Sequence, residues 1–174
     1  MEPTTEKRQA LDRAKEIISH RDANELRYVA LELRRCIEAV VYEKLWVYRD
    51  RLPVEVARRW QPPQAFRALL LMEPNAEHTK IVRIGKQIAQ GIPSSAPFHT
   101  LGTDHRFTSA WLNKTYNKLG SLVHASWPFA KNPAQNAIEA AGEFLQQVAT
   151  DLEPFVRQSF TSTLAVVVDF KCSE

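Results

Sequence analysis

No stretch of this chain reaches the roughly 18 consecutive apolar residues of a membrane-spanning helix. Its first residues also lack the basic, apolar and small-residue succession of a secretory leader. A soluble, cytoplasmic protein with no membrane partner is therefore expected. The two cysteines, Cys36 and Cys172, are too few for a disulfide framework and suit a reducing compartment, Cys36 falling at an apolar helix position. There is no HExxH, no paired CxxC, no glycine-rich phosphate loop and no nucleophile elbow. The histidines do not cluster, since His99 and His105 flank "TLGTD" and His78 stands beside Glu77. Neither a metal nor a cofactor is expected. "KCSE" at the end of the sequence is half of a zinc-knuckle pattern, which a longer natural chain would have to complete.

What remains is an ordinary globular composition, 44% hydrophobic and 25% charged over 174 residues, which fits one domain. A chain of this size buries roughly 70% of its unfolded surface and needs no covalent staple. No repeat and no long linker divides it, so residues 1–174 are read as a single helical domain. The net charge of +3 is unevenly spread. Residues 61–131 hold eight Lys/Arg against three Asp/Glu, and residues 132–174 hold two against six. A basic middle segment suits a phosphate-bearing partner, although so modest an excess also serves solubility alone.

Helical periodicity dominates. "TTEKRQALDRAKEIISHRD" spaces Leu11, Ala14, Ile17 and Ile18 on one face behind a threonine cap, with Glu6 in the first turn and His20 near the end. "ANELRYVALELRRCIEAVVYEKLWVYRD" carries Leu26, Val29, Ala30, Leu33, Ile37, Val40, Val41 and Leu45 in the strongest stripe of the chain, which predicts a central helix. Pro53 opens a short helix, and Pro62–Pro63 and Pro74 bracket another. "HTKIVRIGKQI" and "APFHTLG" predict a small β-hairpin at about 79–101, with "AQGIPSS" as its loop. A helix resumes from Thr103 and runs through "YNKLGSLVHASW". The last helix, "PAQNAIEAAGEFLQQVATDLE", is predicted to break or kink at Pro154, and "STLAVVVDF" within 161–174 predicts a short C-terminal strand, leading into a further segment if the natural chain continues. The fold class is therefore mainly α: a bundle of four or five main helices with a small hairpin. Trp46, Trp60, Trp111 and Trp127, at helix ends and proline turns, read as bundle anchors rather than stacking platforms.

Two polar constellations stand out. Asn113, Asn117, Gly120, Ser121 and His124 fall near one stripe, flanked by Lys114 and Lys118. A histidine, a hydroxyl, amides and lysines on one face can bind an anion, and a histidine can act as general acid or base on a phosphoester. The same stripe also reads as the solvated side of an amphipathic helix, with Gly120 permitting close packing. Arg35, Glu38 and Tyr42 lie at i, i+3 and i+7 beside the apolar stripe. They read either as a polar site between helices or as a surface ion pair.

The succession "LRYVALELRRCIEAVVYEKL", "WQPPQAFRALL", "YNKLGSLVHA" resembles the layout of HEPN-type helical domains of bacterial toxin–antitoxin and anti-phage defence proteins, over roughly residues 20–130. The resemblance implies a homodimer. It also implies, in active members, a metal-independent ribonuclease pairing an arginine with a histidine four to six residues later. His124 stands where that histidine is expected, but the arginine is missing. Lys118 has the spacing, yet it is a point charge without the planar fork, and on an ideal helix it lies about 120° from His124. The departure implies a non-catalytic interaction or sensing module binding RNA or a nucleotide through Asn113, Lys114, Asn117 and Ser121. Two alternatives stay open: a ribonuclease using His124 with Lys118, and a structural bundle with no site.

Overall fold

The computed structural model describes residues 3–20, 22–51, 61–85, 87–89, 92–93, 97–124 and 135–158. The short helix expected at Pro53 and the strand expected within 161–174 lie outside them, as do Trp60 and Trp127. Five α-helices make up most of the described chain: α1 Pro3–His20, α2 Leu26–Trp46, α3 Pro62–Met72, α4 Ser109–Val123 and α5 Gln135–Arg157. Between α3 and α4 stand four strands: β1 Lys80–Ile84, β2 Gln87–Ala89, β3 Ile92–Pro93 and β4 His99–Asp104. The mainly helical bundle with a small hairpin is what the periodicity predicts.

α2 is the hub, packing against α1, α3, α4 and α5. Of its predicted stripe only Leu26 is not fully buried, and Cys36 and Ala39 join the rest. A helix enclosed on more than one side buries a wider arc than the stripe of a surface helix. α1 begins with Pro3 in its first turn, so the helix starts ahead of the expected threonine cap. Lys7, on the apolar side of α1, is buried, and its Nζ donates to Glu43 Oε2 (2.6 Å) and to the Phe155 carbonyl (3.1 Å). One lysine thus ties three helices.

The hairpin is longer than its pattern suggests. β1 pairs antiparallel with β4 from Lys80↔Asp104 to Ile84↔His99, with a register shift between Val82 and Arg83. β4 therefore runs three residues beyond 101, and the segment expected as loop holds β3 and the last residue of β2. This moves the next helix. It starts at Ser109, not at Thr103, because Thr108 is the cap: its side chain accepts from Trp111 N at 3.1 Å. Glu77 Oε1 accepts from Ser109 N at 2.5 Å, placing a carboxylate at the positive end of α4.

α5 does not break at Pro154, where a missing N–H and a ring clash would cost about 3 kcal/mol. It continues to Arg157 because the residues after the proline are anchored. Val156 is buried, and the Phe155 ring meets Phe107 at 5.3 Å and Trp111 at 6.3 Å between centroids. Trp111 is thus a bundle anchor, whereas Trp46 is exposed beneath the Arg49 guanidinium.

Candidate functional site

An open cleft of about 330 Å³ lies where α2, the start of α3 and the end of α4 meet. Its walls are Arg34 from α2, Gln61 and Pro63 from α3, and Tyr116, Asn117, Gly120, Ser121 and His124 from α4 and its exit. No carboxylate is among them. Three of the residues expected as a site, Asn117, Ser121 and His124, are brought together here. His124 is not inside a helix, however. It caps α4 with extended dihedrals, φ −72° and ψ 139°, so the chain turns away at its Cα and the side chain is exposed.

Arg34 is the cation of the cleft, and periodicity pointed one residue away from it. One position is 100° of helix. Arg35 faces α1, pairing with Glu6 there (2.7 Å) and with Glu32 on its own helix (3.2 Å). Arg34 faces α4, its guanidinium carbon 4.0 Å from the Tyr116 ring centroid. Nη1 also donates a long bond, 3.4 Å, to the Tyr116 carbonyl. No carboxylate pairs with Arg34 among the described residues, so the part of its donor fork not given to Tyr116 remains to donate.

Gly120 makes room for this arrangement. A Cβ built on it would overlap Arg34 Nη1. A buried glycine in the body of a helix, at a cost of about 0.5–1 kcal/mol against alanine, is the sequence signal that another group must come close. The Tyr116 hydroxyl is fixed in turn, donating to Glu38 Oε1 at 2.6 Å. Burial and then that carboxylate push the Tyr116 phenol well above its usual range.

The other expected residues lie elsewhere. Lys118 Nζ sits 3.9 Å over the Phe144 ring, turned towards α5 and away from His124, as the helical angle implied. Asn113 spends its amide on the Ser109 carbonyl at 2.8 Å. Lys114 is exposed on α4 and does not line the cleft. Arg35 stands apart from Glu38 and Tyr42: it serves α1, whereas Glu38 accepts from Tyr116 and its charge, after burial, pushes the Tyr42 phenol up to about 12. Among the described residues no three His, Cys, Asp or Glu side chains gather as a metal site.

A second polar cluster went unread in the sequence. Glu73 accepts from Tyr48 Oη (2.7 Å), from Arg106 Nη1 (3.5 Å) and from Lys80. Asp104 accepts from Arg106 Nε (2.9 Å) and Nη2 (2.6 Å) and from Lys44 Nζ (3.3 Å). Lys44, Glu73, Asp104 and Arg106 are all buried. Burial, then the nearby Arg106 charge, lowers the Lys44 amine to about 8 against the pull of Asp104. Burial acts to raise the Glu73 carboxyl, but Lys80, Tyr48 and Arg106 outweigh it and hold the group below its usual range. These groups satisfy one another and join the base of the hairpin to α2 and to the end of α3. They clasp the fold.

Comparison of the chain with protein-family models, curated proteins and solved structures finds no match.

Proposed function

We propose that this chain is a HEPN-like interaction module that binds the phosphate of an RNA or nucleotide in the α2–α3–α4 cleft and does not cleave it. Its setting on this reading is a dimer within a bacterial defence or regulatory protein, as the resemblance implies. The observation that carries the reading is Arg34, a cation without a carboxylate partner among the described residues, held over Gly120 in a cleft that also contains His124, Asn117 and Ser121. An arginine fork matches phosphate geometry and stays charged.

The non-catalytic assignment rests on proton bookkeeping. Cleaving a phosphodiester requires one group to take a proton from the attacking hydroxyl and another to give one to the leaving oxygen. His124 can serve one role. Among the described residues, the other titratable groups of the cleft wall are Arg34, whose guanidinium does not exchange protons near neutrality, and Tyr116, whose phenol is pushed up. A second reading, a metal-independent ribonuclease, is favoured by the approach of Arg34 and His124 to one cleft, the arginine coming from α2 instead of the helix that leads to His124.

Titrating fluorescent single-stranded RNA and a nucleoside monophosphate into wild type and Arg34→Ala, in EDTA, tests both readings. The expected result is binding by wild type, its loss in Arg34→Ala, and intact RNA throughout. RNA cut by wild type but not by His124→Ala would replace the module with the nuclease. Absence of binding by a folded wild type would overturn the proposal.

A further inference from the structure

We infer that the cleft is built for a terminal phosphate, the phosphomonoester at an RNA end or on a nucleoside monophosphate, and not for the diesters along a strand. The inference rests on the phosphate-binding reading above and narrows its ligand.

The donors come from three sides. From α2, Arg34 gives part of its fork to Tyr116, through a long bond to the carbonyl and a contact with the hydroxyl, leaving its remaining N–H groups to donate. From the start of α3, Gln61 uses its carbonyl oxygen to accept from Gln64 Nε2 at 2.8 Å, which leaves its amide hydrogens to donate. From α4, Asn117 and His124 face the same space, whereas Ser121 Oγ directs its proton to the Lys118 carbonyl at 2.7 Å and offers lone pairs. Donors arranged on three sides match a group with three terminal oxygens. A diester has two such oxygens, and its two bridging oxygens carry chain away in opposite directions.

Charge and size agree with this. A monoester carries up to two negative charges near neutrality, about double that of a diester, and among the described residues the wall contains no carboxylate to oppose them. The first turn of α3 has no acidic residue and no side-chain cap, so its positive end is uncompensated at the cleft. That end contributes field and not donors, because the Gln64 and Ala65 N–H groups bond the Gln61 carbonyl at 2.9 and 3.0 Å. A volume of about 330 Å³ is at the small end of ligand pockets, which run from about 300 to 1,000 Å³. It suits one nucleotide unit entering end-on.

The test compares one short RNA in three forms, 5′-phosphorylated, 3′-phosphorylated and hydroxyl-ended, alongside AMP, adenosine and inorganic phosphate as competitors. Removing the terminal phosphate is expected to weaken binding about tenfold or more. AMP and inorganic phosphate should compete where adenosine does not. Direct binding of AMP by titration calorimetry, with no binding of either phosphorylated RNA, would support the inference and identify a free nucleotide as the source. Tight binding of both would identify the RNA end. Equal binding of all three RNAs, still abolished by Arg34→Ala, would overturn the end preference while leaving the phosphate reading intact. No binding of any form would overturn both.

Discussion

The Arg34 guanidinium lies over the Tyr116 ring, 4.0 Å from its centroid, and these two residues are 82 positions apart in the chain. The ring holds a charge that would otherwise be free to swing, and Glu38 holds the ring through the hydroxyl. A cation–π contact of this kind is worth about 0.5–2 kcal/mol. Tyr116→Leu is therefore expected to weaken phosphate binding by roughly 2- to 30-fold. Tyr116→Phe keeps the ring and should weaken it by less. Equal losses in the two variants, read by titration calorimetry, would show that the hydroxyl and not the ring positions Arg34.

The buried cluster at the hairpin base should respond unequally to its members. Glu73→Gln leaves Arg106 and Lys80 without their carboxylate and is expected to cost about 3–5 kcal/mol in urea unfolding at pH 7. Lys44→Met leaves Asp104 with both Arg106 bonds and should cost less than about 1 kcal/mol or stabilise.

Acid and base should then act in opposite senses on these two groups. Glu73 has a folded pKa below the ordinary 4.5, so its contribution is complete above that value and disappears as pH falls through the folded one. The stability gap between wild type and Glu73→Gln should narrow in acid. Lys44 has its folded pKa lowered from 10.5 to about 8, so between those values the unfolded chain binds more protons. Wild type should therefore gain stability relative to Lys44→Met as pH rises from 8 to 10.5. A gap that stays constant over that range would contradict the burial of a charged Lys44.

Gly142 lies within α5, with nothing among the described residues within 4 Å of the position a Cβ would take. Unlike Gly120, it makes room for no neighbour. Gly142→Ala is expected to stabilise by about 0.5–1 kcal/mol through the lost freedom of the unfolded chain. Calorimetry should show this as a rise of about 1–4 °C in Tm.

Cys36 is wholly buried and its thiol is pushed up to about 12, by burial above all. In a Cys172→Ser background a thiol reagent should leave it unmodified in buffer and modify it fully in denaturant. Rapid labelling of the native protein would place Cys36 outside the core.

The helices were legible because their apolar spacing records burial directly, and α2 above all could be read residue by residue. The hairpin was legible in kind but not in extent. "TDHRF" looks like the polar start of a helix, and only tertiary contacts show that Asp104 and Arg106 are spent on Lys44 and Glu73. At Pro154 the helical turns expected in "PFVRQSF" join the helix before them without a break, since the burial of Val156 and the packing of Phe155 outweigh a local penalty. Of the site, Asn117, Ser121 and His124 could be found on one helical stretch. Arg34 could not, because it comes from another helix and Arg35 beside it has the same chemistry. The clue that was present is Gly120, a glycine where the periodicity allows a larger residue.

Gly120→Ala tests the account most directly, because it adds one methyl group where Arg34 Nη1 now lies. The displaced group is the end of a flexible side chain, so the fold should tolerate the change, and alanine favours a helix by up to about 1 kcal/mol. The predicted result is a Tm equal to or above that of wild type, with affinity for 5′-phosphorylated RNA or AMP lowered about tenfold or more, the scale of one charge-assisted hydrogen bond of about 1.5–3 kcal/mol. Wild-type affinity in a folded Gly120→Ala protein would contradict the claim that Arg34, held over Gly120, is what binds the phosphate.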